Sequence, residues 1–125
     1  MKNGRKKIEG FIIRENIIDK QGEKFSSESI KKMKDQIKPN DPIFKEFDLT
    51  QPPAGYVESI EYVEGEGIKI SGMIDESVSD NHMFTISGYI NDYETKNGYR
   101  LIKDVDFVEV SVIPKNMSPY KNEKL

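Results

Sequence analysis

The chain has 125 residues, a formal net charge of −3, one histidine and no cysteine. That length suits a single domain with one modest core, and the missing cysteines exclude disulfides, thiolate nucleophiles and sulfur-ligated metals. No apolar run approaches the roughly 18 to 20 residues needed to span a membrane, and a zinc site would need carboxylates for every ligand but one. No membrane partner, metal or other cofactor is therefore expected.

The basic opening, Met1 to Lys7, precedes an apolar stretch broken by Glu9, Arg14 and Glu15, which is not the pattern of a signal peptide, so a cytoplasmic origin is expected. Isoleucine outnumbers leucine sixteen to three, and β-branched side chains suit a pleated surface. Charge is uneven: residues 1–38 sum to +5, residues 39–95 to −10 and residues 96–125 to +2. A basic start and an acidic middle can dock head to tail in a symmetric assembly, or intermix once the chain folds. The net negative charge disfavours nucleic-acid binding, although the four Lys/Arg among the first seven residues could reach a phosphate backbone.

Residues 1–7 read as a basic arm, 8–114 as one β-rich domain and 115–125 as a polar tail. Ile8 to Ile13 is expected as a first strand, followed by a polar turn from Asp19 to Gly22. A helix from Ser26 to Lys38 follows. Ser26 is its N-cap, Phe25 staples onto Ile30, and Ile30, Met33 and Ile37 form its apolar stripe. Pro39 ends it.

Pro42 to Phe47 reads as a short strand, with a rigid loop around Pro52 and Pro53. Tyr56 to Val63 and Ile68 to Ile74 alternate on either side of Glu64-Gly65-Glu66-Gly67, the signature of a β-hairpin. Asp75 to His82 is expected as a loop and Met83 to Tyr93 as a long strand. A second turn at Lys96-Asn97-Gly98 leads into strands Tyr99 to Ile102 and Val105 to Ile113, the last apolar enough to be covered on both faces. The expected fold is mainly β with one helix: a small closed or sandwich-like barrel of about seven strands, its helix over one opening.

Several landmarks then fall in a suggestive order: Gly10, Asp19 to Glu23, Phe47-Asp48, Pro52-Pro53, Gly55-Tyr56-Val57, Gly67-Ile68, Gly72-Met73-Ile74, Ile86-Ser87-Gly88-Tyr89, and Glu109-Val110-Ser111-Val112-Ile113-Pro114 with Asn116. From about residue 8 to 119 this order resembles the prohead (capsid-maturation) protease family of tailed phages. The resemblance implies a virion-assembly context and a β-barrel related to that of herpesvirus maturation proteases. It also implies a serine nucleophile near Ser87 and a His-Asp pair where this chain has Phe47-Asp48.

Serine needs a base within hydrogen-bond reach, and Phe47 cannot accept a proton. Matching Gly88-Tyr89 to the family's Gly-Phe places the nucleophile position on Ile86, so Ser87 is expected to point to the opposite face as a surface or packing serine. No catalytic residue is expected. Were the chain active, Ser87 would act with His82 and an acid such as Glu109. Asp48 is expected to face water or cap the Pro52-Pro53 loop. The i, i+2 carboxylate pairs Glu46/Asp48 and Asp104/Asp106 are expected to share strand faces.

The function expected is that of a non-enzymatic structural or assembly protein of the virion, decorating or associated with the head and made in the bacterial host cytoplasm. Its partners would be capsid or other virion proteins in a symmetric assembly. The alternatives are an active prohead maturation protease with Ser87 as nucleophile, and a generic protein-binding module.

Overall fold

A computed structural model describes residues 4–120. Its first strand, β1 (Arg5–Arg14), already takes in the end of the basic arm, pairing antiparallel with β5 (Gly67–Asp75) from Arg5↔Asp75 to Arg14↔Gly67. β4 (Gly55–Val63) lies on the other edge of β5 as the expected hairpin. The glycines close it for a steric reason: Gly65 and Gly67 adopt φ of +78° and +137°, conformations that cost a residue with a Cβ. At Gly67 the cost would be larger still, since a Cβ there would lie 2.1 Å from the Ile13 carbonyl oxygen.

β2 (Glu23–Phe25), α1 (Ser27–Gln36) and β3 (Pro42–Lys45) precede that hairpin. Ser26 caps the helix, its Oγ accepting from the Ser29 N–H at 3.1 Å, and Ile30, Met33 and Ile37 are buried. The helix stops at Gln36, short of the expected Lys38, because Ile37 turns extended and its N–H returns to the Lys34 carbonyl.

β6 (His82–Lys96) and β7 (Tyr99–Pro114) form the longest hairpin. Gly98, at φ +89°, turns it. What reads in sequence as two closing strands is one, irregular where its pairing with β6 shifts register around Lys103 and Val108; bulges let a long strand twist without ending. β6 runs along one edge of β7, so β2 and β3 share the other, both parallel to it, at Arg100–Ile102 and Val110–Val112.

The sheet order is β1-β5-β4-β3-β7-β2, with β6 also on β7. It curls into a half-barrel in which β1 and β6 touch with no ladder between them. The expected mainly β fold with one helix is therefore observed, with the sheet left open at that seam. Inside the curl lie Ile30, Ile43, Val57, Ile68, Ile102 and Val110, all fully buried. At roughly 1.5–3 kcal/mol for each such side chain removed from water, this isoleucine-rich interior drives the fold.

The expected polar tail behaves differently as far as Tyr120. A short 3-10 turn, Lys115–Met117, directs the chain back over β1. There the Pro119 carbonyl accepts from the Lys20 N–H at 2.8 Å, and the buried Tyr120 hydroxyl accepts from the Arg14 N–H at 2.8 Å. The rest of the expected tail, 121–125, and the first three residues of the expected arm lie outside the described residues.

Candidate functional site: a serine–glutamate cluster beside Phe47

Along β7, residues Glu109 to Ile113 are all buried, so both faces of this stretch are covered. Val110 and Val112 point into the core; by the two-residue period of a strand, Glu109, Ser111 and Ile113 point the other way. Burying a carboxylate there requires hydrogen-bond donors, and two hydroxyls supply them. Ser87, opposite Glu109 on β6, donates to Glu109 Oε1, and Ser111 donates to Glu109 Oε2 at 2.7 Å. Ser111 Oγ also accepts from the Phe47 N–H at 3.2 Å. A hydroxyl has one proton and two acceptor positions, so Ser111 links the Phe47 backbone to the carboxylate.

Phe47 reaches this position through an unusual backbone. Both Glu46 and Phe47 have left-handed φ, +52° and +63°, a region that costs an L-residue roughly 1–2 kcal/mol. The parallel ladder of β3 on β7 holds them there: the Glu46 N–H donates to the Val112 carbonyl at 2.8 Å, just before the Phe47 bond to Ser111. Over-determined strain of this kind clusters at functional sites. Phe47, 44% exposed, lines a cavity of about 520 Å³ together with Ser87, Ile90 and Met117. Asp19 and Glu23 also line it. Burial pushes the Glu23 carboxyl above its usual range against the opposing pull of its ion-pair partner Arg100.

Ser87 does point away from Ile86, whose side chain packs on the core. It is nevertheless no ordinary surface serine, because the face it occupies carries Glu109, Ser111 and Phe47. Two members of the conditional trio, Ser87 and Glu109, are in direct contact; the third is not. His82 begins β6 opposite Pro114, five residues from Ser87 on one strand. At roughly 3.3 Å per residue that is about 16 Å, and the odd spacing places the two on opposite faces. A Ser87–His82 pair is thereby excluded, and Phe47 lines the same cavity as Ser87.

The other acidic candidates have structural occupations. Asp48 is exposed to water, one of the two expected outcomes, and its Oδ1 accepts from the N–H and hydroxyl of Thr50, bonds that hold its carboxyl below the usual range. Glu46 follows the end of β3, so Glu46 and Asp48 are not a strand pair. Asp104 and Asp106 do converge, on Lys32 at 2.5 and 3.9 Å, and Lys32 lowers the Asp104 carboxyl in return. Among the described residues no three His, Asp or Glu side chains gather to hold a metal ion, and no helix is long and apolar enough to cross a membrane.

Ser111 is the member that sequence reasoning passed over as a site residue, and its signal was a small polar residue between Val110 and Val112, two positions from Glu109 and so on the same strand face. Comparison with protein-family models, with curated proteins and with solved structures finds no match to this chain.

Proposed function

We propose that the chain is a non-enzymatic structural or assembly protein of a tailed-phage head, built on a protease-like half-barrel that lacks the general base. One observation carries this reading: Ser87 and Glu109 are hydrogen-bonded on one face, and Phe47, the residue at the position where the resemblance implies histidine, lines the same cavity. Serine is a poor nucleophile at its ordinary pKa and is activated by an adjacent base. A phenyl ring supplies none. What remains is a rigid, curled sheet with open edges and exposed apolar side chains, among them Phe47, Leu49, Tyr89 and Met117, suited to binding capsid or other virion proteins.

The test has two arms. Purified chain is treated with a fluorophosphonate probe, which labels activated serines, beside Ser87→Ala; no labelling is expected, and a covalent adduct at Ser87 would overturn the non-enzymatic reading. Particles released from the strain that encodes the chain are then analysed by mass spectrometry. The chain is expected in purified particles, and its absence would refute the virion assignment.

The Ser87–Glu109 bond itself supports a second reading, a hydrolase in which Glu109 takes the Ser87 proton directly while Ser111 orients the carboxylate. Labelling of Ser87 that is lost in Glu109→Gln would establish it in place of the first.

A further inference from the structure

The cavity of about 520 Å³ carries two carboxylates that the serine–glutamate cluster does not use. Asp19 and Glu23 line it from either side of the turn that leads into β2, and they are only 9% and 6% exposed. Each commits one oxygen inside the fold: Asp19 Oδ1 accepts from the N–H groups of Gln21 and Glu23 at 2.9 and 3.0 Å, and Glu23 Oε2 is paired with Arg100. Their other oxygens, Asp19 Oδ2 and Glu23 Oε1, have no donor among the described residues. Those oxygens are not sealed off either, since among the described residues the buried side-chain atoms without a partner are the two ring nitrogens of His82. Two nearly buried carboxylates thus present open acceptor atoms on the wall of a cavity.

The balance of charge gives the sign of the complement. Lys20, the other charged residue on the wall, is exposed and in ion-pair contact with neither carboxylate. The Arg100 side chain, which offsets Glu23, is 42% exposed and shares its charge with water. Glu109, bonded to Ser87 of the same wall, adds a third carboxylate. Burial pushes the Glu23 carboxyl up, Arg100 pulls it back and Asp19 pushes it up again, as befits a negative charge short of compensation. A metal ion does not fit: calcium takes roughly six to eight oxygens, and among the described residues no three His, Asp or Glu side chains gather. Much of the remaining wall is apolar, with Ile12, Ile13, Ile86, Val105 and Ile113. The volume falls within the roughly 300–1,000 Å³ of sites for small organic ligands.

We infer that this cavity binds an organic cation, an ammonium group on an apolar stem, with the ammonium against Asp19 and Glu23 and the stem along the isoleucine-lined wall. An ammonium carries three donors and no acceptor, which suits two open carboxylate oxygens, and the stem removes apolar wall from water. A free alkylamine and a lysine side chain share this chemistry. The inference goes beyond the assembly reading and does not depend on it.

The test compares head groups on one stem. Hexylamine, hexanol and hexanoate are titrated separately into the isotope-labelled full chain at neutral pH. Hexylamine is expected to move the amide signals of residues 19–23 and 86–88 saturably, with a dissociation constant of about a millimolar or below, and to bind at least about tenfold more tightly than hexanol, with no saturable effect of hexanoate. Nα-acetyl-lysine methylamide separates the two sources: comparable affinity assigns the site to a protein side chain, and binding of hexylamine alone assigns it to a free amine. Asp19→Asn keeps the oxygen that accepts from Gln21 and Glu23 and removes the charge. With its fold confirmed by circular dichroism, its affinity for hexylamine should fall about tenfold or more. Absence of saturable movement, equal affinity for hexylamine and hexanol, or undiminished binding by Asp19→Asn overturns the inference. The comparison of head groups needs no variant, so it decides the matter even if Asp19→Asn does not fold.

Discussion

Replacing Ser111 by alanine should destabilise the protein far more than loss of one small surface hydroxyl would. Ser111 is 0% exposed, and its removal leaves Glu109 with one donor in place of two and the Phe47 N–H without its acceptor. A bond to a charged group is worth about 1.5–3 kcal/mol and a neutral one about 0.5–1.5 kcal/mol, so a loss of about 2–4 kcal/mol is expected. That is a large share of the roughly 5–15 kcal/mol available to a domain of this kind. The chain has no tryptophan, so urea unfolding is followed by far-ultraviolet circular dichroism and tyrosine fluorescence. The charged part can be isolated with Glu109→Leu as background: there, Ser111→Ala should cost only about 1 kcal/mol, the residue of the Phe47 bond, giving a coupling of at least about 1 kcal/mol. A loss below about 0.5 kcal/mol in the single variant, or additive losses in the double, would refute the linked serine–glutamate cluster.

Relief of the left-handed backbone before Phe47 should be measurable as well: Glu46→Gly is expected to raise stability by about 0.5–1 kcal/mol, the αL cost less the added freedom of glycine in the unfolded chain, where glycine within β3 at Lys45 should lower it. Gly67→Ala is expected to cost more than about 2 kcal/mol in the same unfolding assay, since its Cβ would meet the Ile13 carbonyl in a φ region that alanine avoids. The acid limb of stability should carry two opposite signs. The Asp104 carboxyl is held low by its bond to Lys32, so its contribution is present above the ordinary carboxylate range and lost as pH falls through its lowered pKa; Asp104→Asn should flatten that decline. Glu23 is raised by burial, so the folded state takes up its proton first and gains relative stability as pH falls; Glu23→Gln should steepen the decline. Melting temperatures of the three proteins, measured from pH 7 down to pH 3, check both slopes.

How much of this was legible in the sequence follows from how local each feature is. The β4–β5 hairpin could be read because its glycines and its alternation lie within about twenty residues, and the helix start because Ser26 and Ile30 are one turn apart. β2 could not: three residues, Glu23 to Phe25, become a strand only through parallel pairing with Arg100 to Ile102, a contact with no local signature. The single strand β7 read as two because Lys103 and Asp104 interrupt its apolar run, whereas the chain passes that point with a shift in register and Asp104 turns to Lys32. The same non-locality governs the site. Periodicity along β6 correctly separates Ser87 from Ile86, but it does not say what lies across the strand. The answer depends on β7, where the register shift beyond Ser87 leaves Val108 outside the pairing and Ser87 opposite Glu109. Parity within one strand fixes a face, and register against its neighbour fixes the chemistry on that face. Phe47 marks the boundary between the two kinds of information. Its inability to serve as a base is a property of the residue alone; its place beside a buried serine–carboxylate bond depends on two left-handed residues and a parallel ladder to a strand more than sixty positions away.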